Sequence, residues 1–248
     1  MALLLIARQV DASVPLVYVD TGLADPRLTR VVRRLGGKRL TYLKNPIDPE
    51  TTWQTEAIPI GAKVSTGCYR RDCPELRINP AKCCQLHKAA PMDRWLAETG
   101  ATALISGARG DDSTRHKFKL QSGEIFPGPR GYCWAYPLLS WLQKDTLAYL
   151  ESELPDYPLR YARNEELGCR ACAINLARWP NQMGRLRRSD PAYHRHLMID
   201  CGFGLEILQI KYKLTRAGAE ALADRDGWPA LIESGALDRI PYPRTGWR

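Results

Sequence analysis

The stretch that decides the fold runs from residue 14 to residue 44 and reads VPLVYVDTGLADPRLTRVVRRLGGKRLTYLK. Residues 14–20 are rich in β-branched residues, which is typical of a buried strand. Asp25 then offers an N-cap and Pro26 a first helical residue, and leucines and valines recur at helical spacing up to the glycine pair. Residues 38–44 read as the next strand. A strand, a helix and a strand in this order predict a parallel sheet with a crossover helix, and so an α/β fold.

Asp20, Thr21 and Gly22 stand at the carboxyl end of the first of these strands. Ligands on open parallel sheets bind beyond the carboxyl ends of the strands, so this turn is a candidate ligand contact. Further along, a run of small apolar residues from 101 to 108 predicts another buried strand. We therefore expect the turn after the first strand to lie near the loop that follows residue 108.

That loop reads Arg109-Gly-Asp-Asp-Ser113-Thr-Arg115. Two arginines with a serine between them can hold phosphate or sulfate oxygens through charge-assisted hydrogen bonds. The plainer alternative is a solvated polar loop. The first interpretation makes Arg109, Ser113 and Arg115 candidate nucleotide-binding residues.

The cysteines form a split set, with the adjacent pair Cys83-Cys84 and the later motif Cys169-x-x-Cys172. Neither half completes a metal site alone, but together they supply four thiolates. Four soft sulfur donors suit tetrahedral zinc or a [4Fe-4S] cluster. The alternative is that the pair is buried core and the Cys-x-x-Cys a redox motif.

Together these motifs resemble the assimilatory adenylyl-sulfate and phosphoadenylyl-sulfate reductases of the PP-loop, adenine nucleotide alpha hydrolase-like superfamily. The resemblance covers roughly residues 1–200. It implies a Rossmann-like parallel sheet flanked by helices, an adenine sulfonucleotide as substrate, and a [4Fe-4S] cluster on the four cysteines, with zinc the alternative. The implied reaction reduces the nucleotide sulfate to sulfite with a thiol donor such as thioredoxin or glutaredoxin. Asp112 stands where the family has glutamate.

The family's nucleophile is a cysteine in a Glu-Cys-Gly-x-His tail, and the last cysteine here is Cys201. It follows aspartate rather than glutamate, and no histidine comes after it, so Cys201 is only a candidate nucleophile. The family's phosphate loop, of the Ser-Gly-Gly-Lys-Asp-Ser type, would lie before residue 1. Because that loop supplies several phosphate contacts, we expect weak or no reductase activity from the chain as given.

Composition and net charge limit the class of protein, the charge of its partners and the compartment in which it works. The chain has 248 residues, of which 44% are hydrophobic and 25% charged, so it reads as globular. A net charge of +9 favours an anionic partner such as a sulfonucleotide, ATP or nucleic acid. Eight clustered cysteines suit metal chemistry in a reducing cytoplasm. The apolar start is too short to cross a bilayer, so no membrane partner is expected, and a homo-oligomer is compatible with the sequence.

We expect a nucleotide-binding α/β domain over residues 1–203 that carries the cysteine site, and a C-terminal helical appendage and tail over residues 204–248. Residues 45–91 contain several prolines and read as loop-rich. Residues 141–154 carry apolar side chains at helical spacing and predict an amphipathic helix that ends before Pro155. The arginine-rich stretch 160–195 can line an anionic cleft or bind single-stranded nucleic acid. The four histidines show no metal-ligand spacing such as HExxH, so none is assigned a site.

Two other classes of function stay open. An ATP-dependent sulfurtransferase or adenylating enzyme acting on nucleic acid would use the same fold and cluster without a catalytic tail. A non-catalytic binding module carrying zinc or a cluster would need neither the tail nor the phosphate loop.

Overall fold

The structure is a computed structural model that describes residues 1–24, 26–55, 58–61, 63–112, 125–127, 131–154, 169–170, 172–173, 176 and 181–241. The chain forms two compact units. The first unit comprises Met1–Val19, Asp25–Leu43 and Pro91–Leu167, and the second comprises Asp20–Ala24, Lys44–Ala90 and Gly168–Arg248.

The elements follow in chain order. The first half of the chain contains α1 (Ala2–Val10), β1 (Leu16–Asp20), α2 (Pro26–Gly36), a 3-10 turn (Gly37–Arg39), β2 (Leu40–Lys44), α3 (Pro49–Thr55), α4 (Lys63–Asp72), α5 (Pro80–Cys84), a π turn (Gln85–Ala89) and α6 (Ala90–Thr99). The second half contains β3 (Ala103–Ile105), β4 (Ile125–Pro127), β5 (Cys133–Ala135), α7 (Gln143–Glu153), α8 (Asn181–Ser189), α9 (Pro191–Ile199), α10 (Phe203–Tyr212), α11 (Arg216–Asp226) and α12 (Trp228–Glu233).

The described strands form two sheets. β1 pairs with β2, and the other sheet has the order β3-β5-β4. β3 runs parallel to β5, with Leu104 opposite Trp134, whereas β4 runs antiparallel to β5, with Phe126 opposite the same Trp134. Parallel strands flanked by helices confirm the expected α/β class. The alternation of strands and helices in the sequence predicts only parallel strands, so it does not account for the antiparallel strand β4.

The core of the first unit is small. Ala2, Leu138 and Leu150 are buried at its centre, and the apolar faces of α1 and α7 meet there. α7 confirms the helix expected over residues 141–154. Its start is fixed by Asp145, whose carboxylate accepts a hydrogen bond from the Leu142 amide at 2.8 Å.

The stretch 45–91 is mainly helical, so the expectation of a loop-rich segment was wrong for its described residues. The prolines that suggested loops begin helices instead: Pro49 opens α3 and Pro80 opens α5. Proline is favoured at the first helical position because the amide it lacks would have no intrahelical partner there. Asn79 caps α5 by accepting from the Lys82 amide at 3.1 Å.

The core of the second unit is the larger one and draws on all three of its chain segments. Its fully buried side chains include Trp53, Ile58, Ile78, Met183, Leu197, Phe203, Ile207 and Leu208. The expected domain boundary after residue 203 falls just after the first residue of α10. It lies inside the second unit, whose last segment runs from Gly168 to Arg248. Residues 204–241 contribute to this core rather than standing beside it.

The helices over the described parts of the chain are all too short, or not apolar enough, to cross a lipid bilayer.

Candidate functional site

The Cys83-Cys84 pair lies at the end of α5, where the helix widens into the π turn that starts at Gln85. Such turns recur at functional sites because they redirect side chains. Cys83 is buried, with 8% of its surface exposed, whereas Cys84 is exposed. Burial raises the pKa of the Cys83 thiol to about 11 and raises that of Cys84 as well; the nearby Cys169 adds to both. Both thiols are therefore protonated at neutral pH.

Cys169 lies against the turn that follows β1. The Thr21 hydroxyl is 3.2 Å from the Cys169 sulfur. The backbone joins the two segments as well, since Ala24 and Cys169 form an antiparallel bridge and the Arg170 amide donates to the Leu23 carbonyl at 2.9 Å. The Asp-Thr-Gly turn and the Cys-x-x-Cys motif, far apart in sequence, are thus in direct contact within the second unit.

The remaining cysteine of the set is tied to Cys169 by a tight turn. The Cys172 amide donates to the Cys169 carbonyl at 3.0 Å. All four cysteines belong to the second unit, and Cys169 is close enough to Cys83 and Cys84 to raise the pKa of both thiols. That the four share one site stays a prediction.

A buried indole tests whether this region suits a metal cluster. Trp53 is fully buried, and among the described residues its Nε1 has no hydrogen-bond partner of ordinary geometry. Its proximity to Cys83 offsets part of the rise in the pKa of that thiol that burial causes. A thiolate held there by a cluster would accept this hydrogen bond, and hydrogen bonds to the sulfurs are a usual feature of iron–sulfur sites. The donor set and its surroundings therefore fit a cluster.

The Asp20-Thr21-Gly22 turn is held by its own side chains. The Asp20 carboxylate accepts from the Gly22 amide at 2.8 Å, and the Thr21 hydroxyl accepts from the Leu23 amide at 3.3 Å. Gly22 has a φ of +77°, a conformation that residues with a Cβ rarely adopt. The turn is thereby fixed in the shape that brings Thr21 to Cys169.

Arg109 is already paired with carboxylates of its own loop. Its guanidinium contacts Asp112 Oδ1 at 2.6 and 3.1 Å and Asp111 Oδ1 at 3.1 Å, and its amide donates to Asp112 Oδ2 at 2.8 Å. This i,i+3 pairing gives Asp112 a structural role. An anion binding to Arg109 would have to exchange with these two aspartates.

Two other residues predicted for this loop, Ser113 and Arg115, lie outside the described residues. Arg109 belongs to the first unit and Asp20 to the second. That the two motifs share a nucleotide pocket stays a prediction.

Sequence reasoning missed a second polar cluster, built around His196 on α9. His196 Nε2 lies 2.9 Å from Glu50 Oε2 of α3 and 3.6 Å from the Cys201 sulfur, and its Nδ1 lies 2.8 Å from Asp200 Oδ2. Hydrogen bonds with both carboxylates raise the pKa of His196. The i,i+4 spacing of His196 and Asp200 was a readable signal; the contact with Glu50 was not.

Cys201, the candidate nucleophile, is buried in this cluster with 1% of its surface exposed. Burial, together with the neighbouring carboxylates of Glu50, Asp200 and Asp48, raises the pKa of its thiol to about 12. A nucleophilic cysteine needs the opposite shift, toward a stable thiolate. The catalytic role of Cys201 stays a prediction, and this environment does not favour it.

These features define an α/β protein in which a strand-end Asp-Thr-Gly turn contacts a set of cysteines. The family model of the phosphoadenosine phosphosulfate reductase domain matches residues 1–175, and the chain belongs to that family.

Two curated relatives carry the names of enzymes. The phosphoadenosine 5'-phosphosulfate reductase of Synechococcus sp. is 30% identical over 155 residues, covering 62% of this chain and 61% of that protein. The adenosine 5'-phosphosulfate reductase of Geobacillus kaustophilus is 26% identical, covering 70% of this chain and 72% of that one. The chain thus spans less than two thirds of the Synechococcus relative.

Among solved structures, a phosphoadenylyl-sulfate (PAPS) reductase from Candida auris in a phosphate complex is similar with 18% identity and a TM-score of 0.42, over 61% of this chain and 66% of that one.

Proposed function

We propose that this protein is a sulfonucleotide reductase, which reduces the sulfate of an adenine nucleotide to sulfite with electrons from thiols. The observation that carries the proposal is the contact between the Thr21 hydroxyl and the Cys169 sulfur at 3.2 Å. It joins a strand-end turn of nucleotide-binding type to the cysteine set. The relatives from Synechococcus and Geobacillus kaustophilus, both named as reductases of such nucleotides, support the same class.

In this proposal Cys83, Cys84, Cys169 and Cys172 hold a [4Fe-4S] cluster. Zinc would draw its four sulfurs to within about 4 Å of one another, given zinc–sulfur bonds of about 2.3 Å. Among the described residues, the group of three metal-ligating atoms that lie within 4.8 Å of one another is elsewhere, at Glu50, His196 and Cys201. A wider spacing of the cysteine sulfurs suits a cluster, because each thiolate then binds a different iron. When bound, the cluster would supply charge beside the sulfate of the substrate.

In this proposal, side chains of the protein bind and orient the substrate. The Thr21 hydroxyl lies at the end of β1, where it can orient the nucleotide against Cys169. Arg109 would exchange Asp111 and Asp112 for sulfate oxygens, which keeps its guanidinium neutralised in both states. Substrate binding would then open the loop that Arg109 and Asp112 close.

The reaction balances with two thiols. A thiolate attacks the sulfur of the nucleotide sulfate, a sulfur–sulfur bond forms, and the bond from that sulfur to the phosphate oxygen breaks, which releases the nucleotide. A second thiolate then attacks the first thiol's sulfur atom, which is bonded to the former sulfate sulfur. A disulfide forms between the two thiols, the bond to the former sulfate sulfur breaks, and sulfite leaves. Substrate sulfur gains two electrons and the two thiols lose them. The first thiolate can come from the protein or from a dithiol donor, so the proposal does not depend on Cys201.

The test compares Cys84→Ser and Cys169→Ser with Cys133→Ser, since Cys133 is an exposed cysteine of the first unit. Iron and sulfide are measured on anaerobically purified protein, and sulfite release is assayed with a dithiol donor and either adenylyl sulfate or phosphoadenylyl sulfate. We expect the first two variants to lose iron, together with whatever sulfite release the wild type supports, and Cys133→Ser to match the wild type in both. Wild-type protein that binds neither iron nor either nucleotide would contradict the proposal.

A further inference from the structure

Glu50, His196 and Cys201 come together from two segments of the second unit, the start of α3 and the end of α9. Glu50 is in the first turn of α3, His196 is in the last turn of α9, and Cys201 follows α9 directly. One ligand atom from each lies within 4.8 Å of the other two. Glu50 and His196 are half-buried and Cys201 is buried, so the group is enclosed on the thiol side and open on the other.

The spacing of the three atoms is close to that of a zinc ligand set. With zinc–sulfur bonds of about 2.3 Å and zinc–nitrogen bonds of about 2.0 Å, tetrahedral angles place sulfur and nitrogen about 3.5 Å apart, and nitrogen and oxygen about 3.3 Å apart. The Cys201 sulfur is 3.6 Å and the Glu50 oxygen 2.9 Å from His196 Nε2. The Cys201 sulfur and the Glu50 oxygen lie within 4.8 Å of each other, so a movement of the half-exposed Glu50 carboxylate would complete the geometry.

The charged groups of the cluster, and the contact of Asp200 with His196, also suit zinc. Three carboxylates, those of Glu50, Asp48 and Asp200, and one thiol lie around a single imidazole, so acidic groups outnumber basic ones in the cluster. The Asp200 carboxylate lies 2.8 Å from His196 Nδ1, which fixes the ring with Nε2 directed at Glu50 and Cys201. A carboxylate on the far nitrogen of a ligating histidine is the usual support for zinc, because it orients the ring and raises its basicity.

The geometry points to a zinc site formed by Glu50, His196 and Cys201, with Asp200 as the positioning residue for His196. Three protein ligands leave the fourth position for water or another ligand, on the half-exposed side of the group. The site uses none of the cysteines proposed for the cluster, so it stands or falls independently of the proposed function. A zinc-bound Cys201 thiolate is unavailable for attack on a sulfate, so this role excludes the nucleophilic one.

The test uses the full chain carrying its native metals, purified anaerobically without chelators. Zinc X-ray absorption reports the ligand set, and zinc affinity is measured by competition with a chromophoric chelator. We expect one tightly bound zinc per chain with a single sulfur ligand. His196→Gln and Cys201→Ser should abolish tight binding, and Asp200→Asn should weaken it by about 10- to 100-fold. Cys133→Ser should bind zinc as the wild type does.

Because Cys201 is buried, its variant needs an independent check of folding. Far-ultraviolet circular dichroism and the melting temperature with excess chelator serve this purpose; zinc should then raise the melting temperature of the wild type and not that of His196→Gln. Zinc bound by four sulfurs in the wild type would overturn the inference. So would zinc affinity unchanged in His196→Gln and Cys201→Ser, since the cluster would then be only a hydrogen-bonded ion pair.

Discussion

At the scale of single residues, Asp238 shows how one carboxylate joins separate parts of the second unit. It accepts a hydrogen bond from Arg187 Nε of α8 at 3.0 Å and lies 3.4 Å from Nε2 of His194, which is fully buried on α9. Burial alone would raise the pKa of Asp238, but the contact with His194 and the charge of Arg187 outweigh it and lower the pKa. The ionised carboxylate is therefore part of the folded state.

The lowered pKa gives a pH prediction with a definite sign. Because the carboxyl group is more acidic in the folded chain than in the unfolded chain, its stabilisation is fully present above the unfolded pKa of about 3.9 and is lost as the pH falls through the folded value. We expect Asp238→Asn to lower the free energy of unfolding by about 1–3 kcal/mol at pH 7. The difference from wild type should shrink below about pH 4.

Urea unfolding at a series of pH values measures this difference. Asp226→Asn is the matched control, since Asp226 pairs with its exposed neighbour Arg225 on the surface of α11 and should change little. A loss for Asp238→Asn that stays the same from pH 7 to pH 3 would show that lost packing, not lost charge, explains its effect.

The sequence identified the site residues whose signal is local and missed those whose partners are distant. Asp20, Thr21 and Gly22 could be found because a strand ends there, and the cysteines because their spacing is distinctive. The pairing of Thr21 with Cys169, across 148 positions, could not be read from either motif. The same is true of Glu50 and His196, which are 146 positions apart. Tertiary contacts of this range carry no periodic signal in a single sequence.

At the scale of elements, α9 carries the polar cluster, and its first turn also contacts the Cys-x-x-Cys segment. Asp190 caps α9 by accepting from the Tyr193 amide at 3.1 Å, and its other oxygen lies 3.4 Å from Arg170 Nη1. The Arg170 guanidinium lies over the Tyr193 ring at 4.6 Å. The start of this helix therefore holds Arg170, which follows Cys169, in place.

We expect Asp190→Ala to lower the free energy of unfolding by about 1 kcal/mol, because the helix loses its cap. The exposed pair with Arg170 adds only up to about 1 kcal/mol. Asp190→Asn keeps a capping oxygen and loses the charge, so it should recover most of the stability. Urea unfolding of the two variants separates the contributions, and equal losses in both would mean that the cap contributes little.

Helices and strands were predictable where apolar residues recur with one period. They were not predictable around prolines, because proline occurs both in loops and at the first position of helices. The pattern in α2 and α7 gave both helices correctly. In residues 45–91, Pro49 and Pro80 were interpreted as loop signals although each begins a helix. The π turn after Cys84 and the 3-10 turn before Leu40 depend on tertiary packing and leave no mark in the sequence pattern.

At the scale of the whole molecule, several of the arginines are used for structure where the described residues show them. The buried Glu206 carboxylate accepts from the Arg77 amide at 3.0 Å and from Arg216 Nη1 at 3.1 Å. Arg187 and Arg170 are paired with aspartates as well. Each such pair contributes nothing to the net charge, so the excess of +9 that favours an anionic partner is carried by other basic residues.

The C-terminal segment is the strongest test of how the molecule divides. Ending the chain at residue 203 would remove Ile207, Leu208 and Leu237, all fully buried, together with Glu206. Each large apolar side chain contributes about 1.5–3 kcal/mol when buried, so losing these three alone removes about 4.5–9 kcal/mol, a large part of the 5–15 kcal/mol that holds an ordinary domain folded. We expect the second unit of the truncated chain to lose its cooperative urea transition and to become sensitive to protease. Arg225→Ala, a change on the exposed side of α11, should leave both properties unchanged. A truncated chain that unfolds cooperatively and keeps its iron would establish residues 204–248 as a separate appendage.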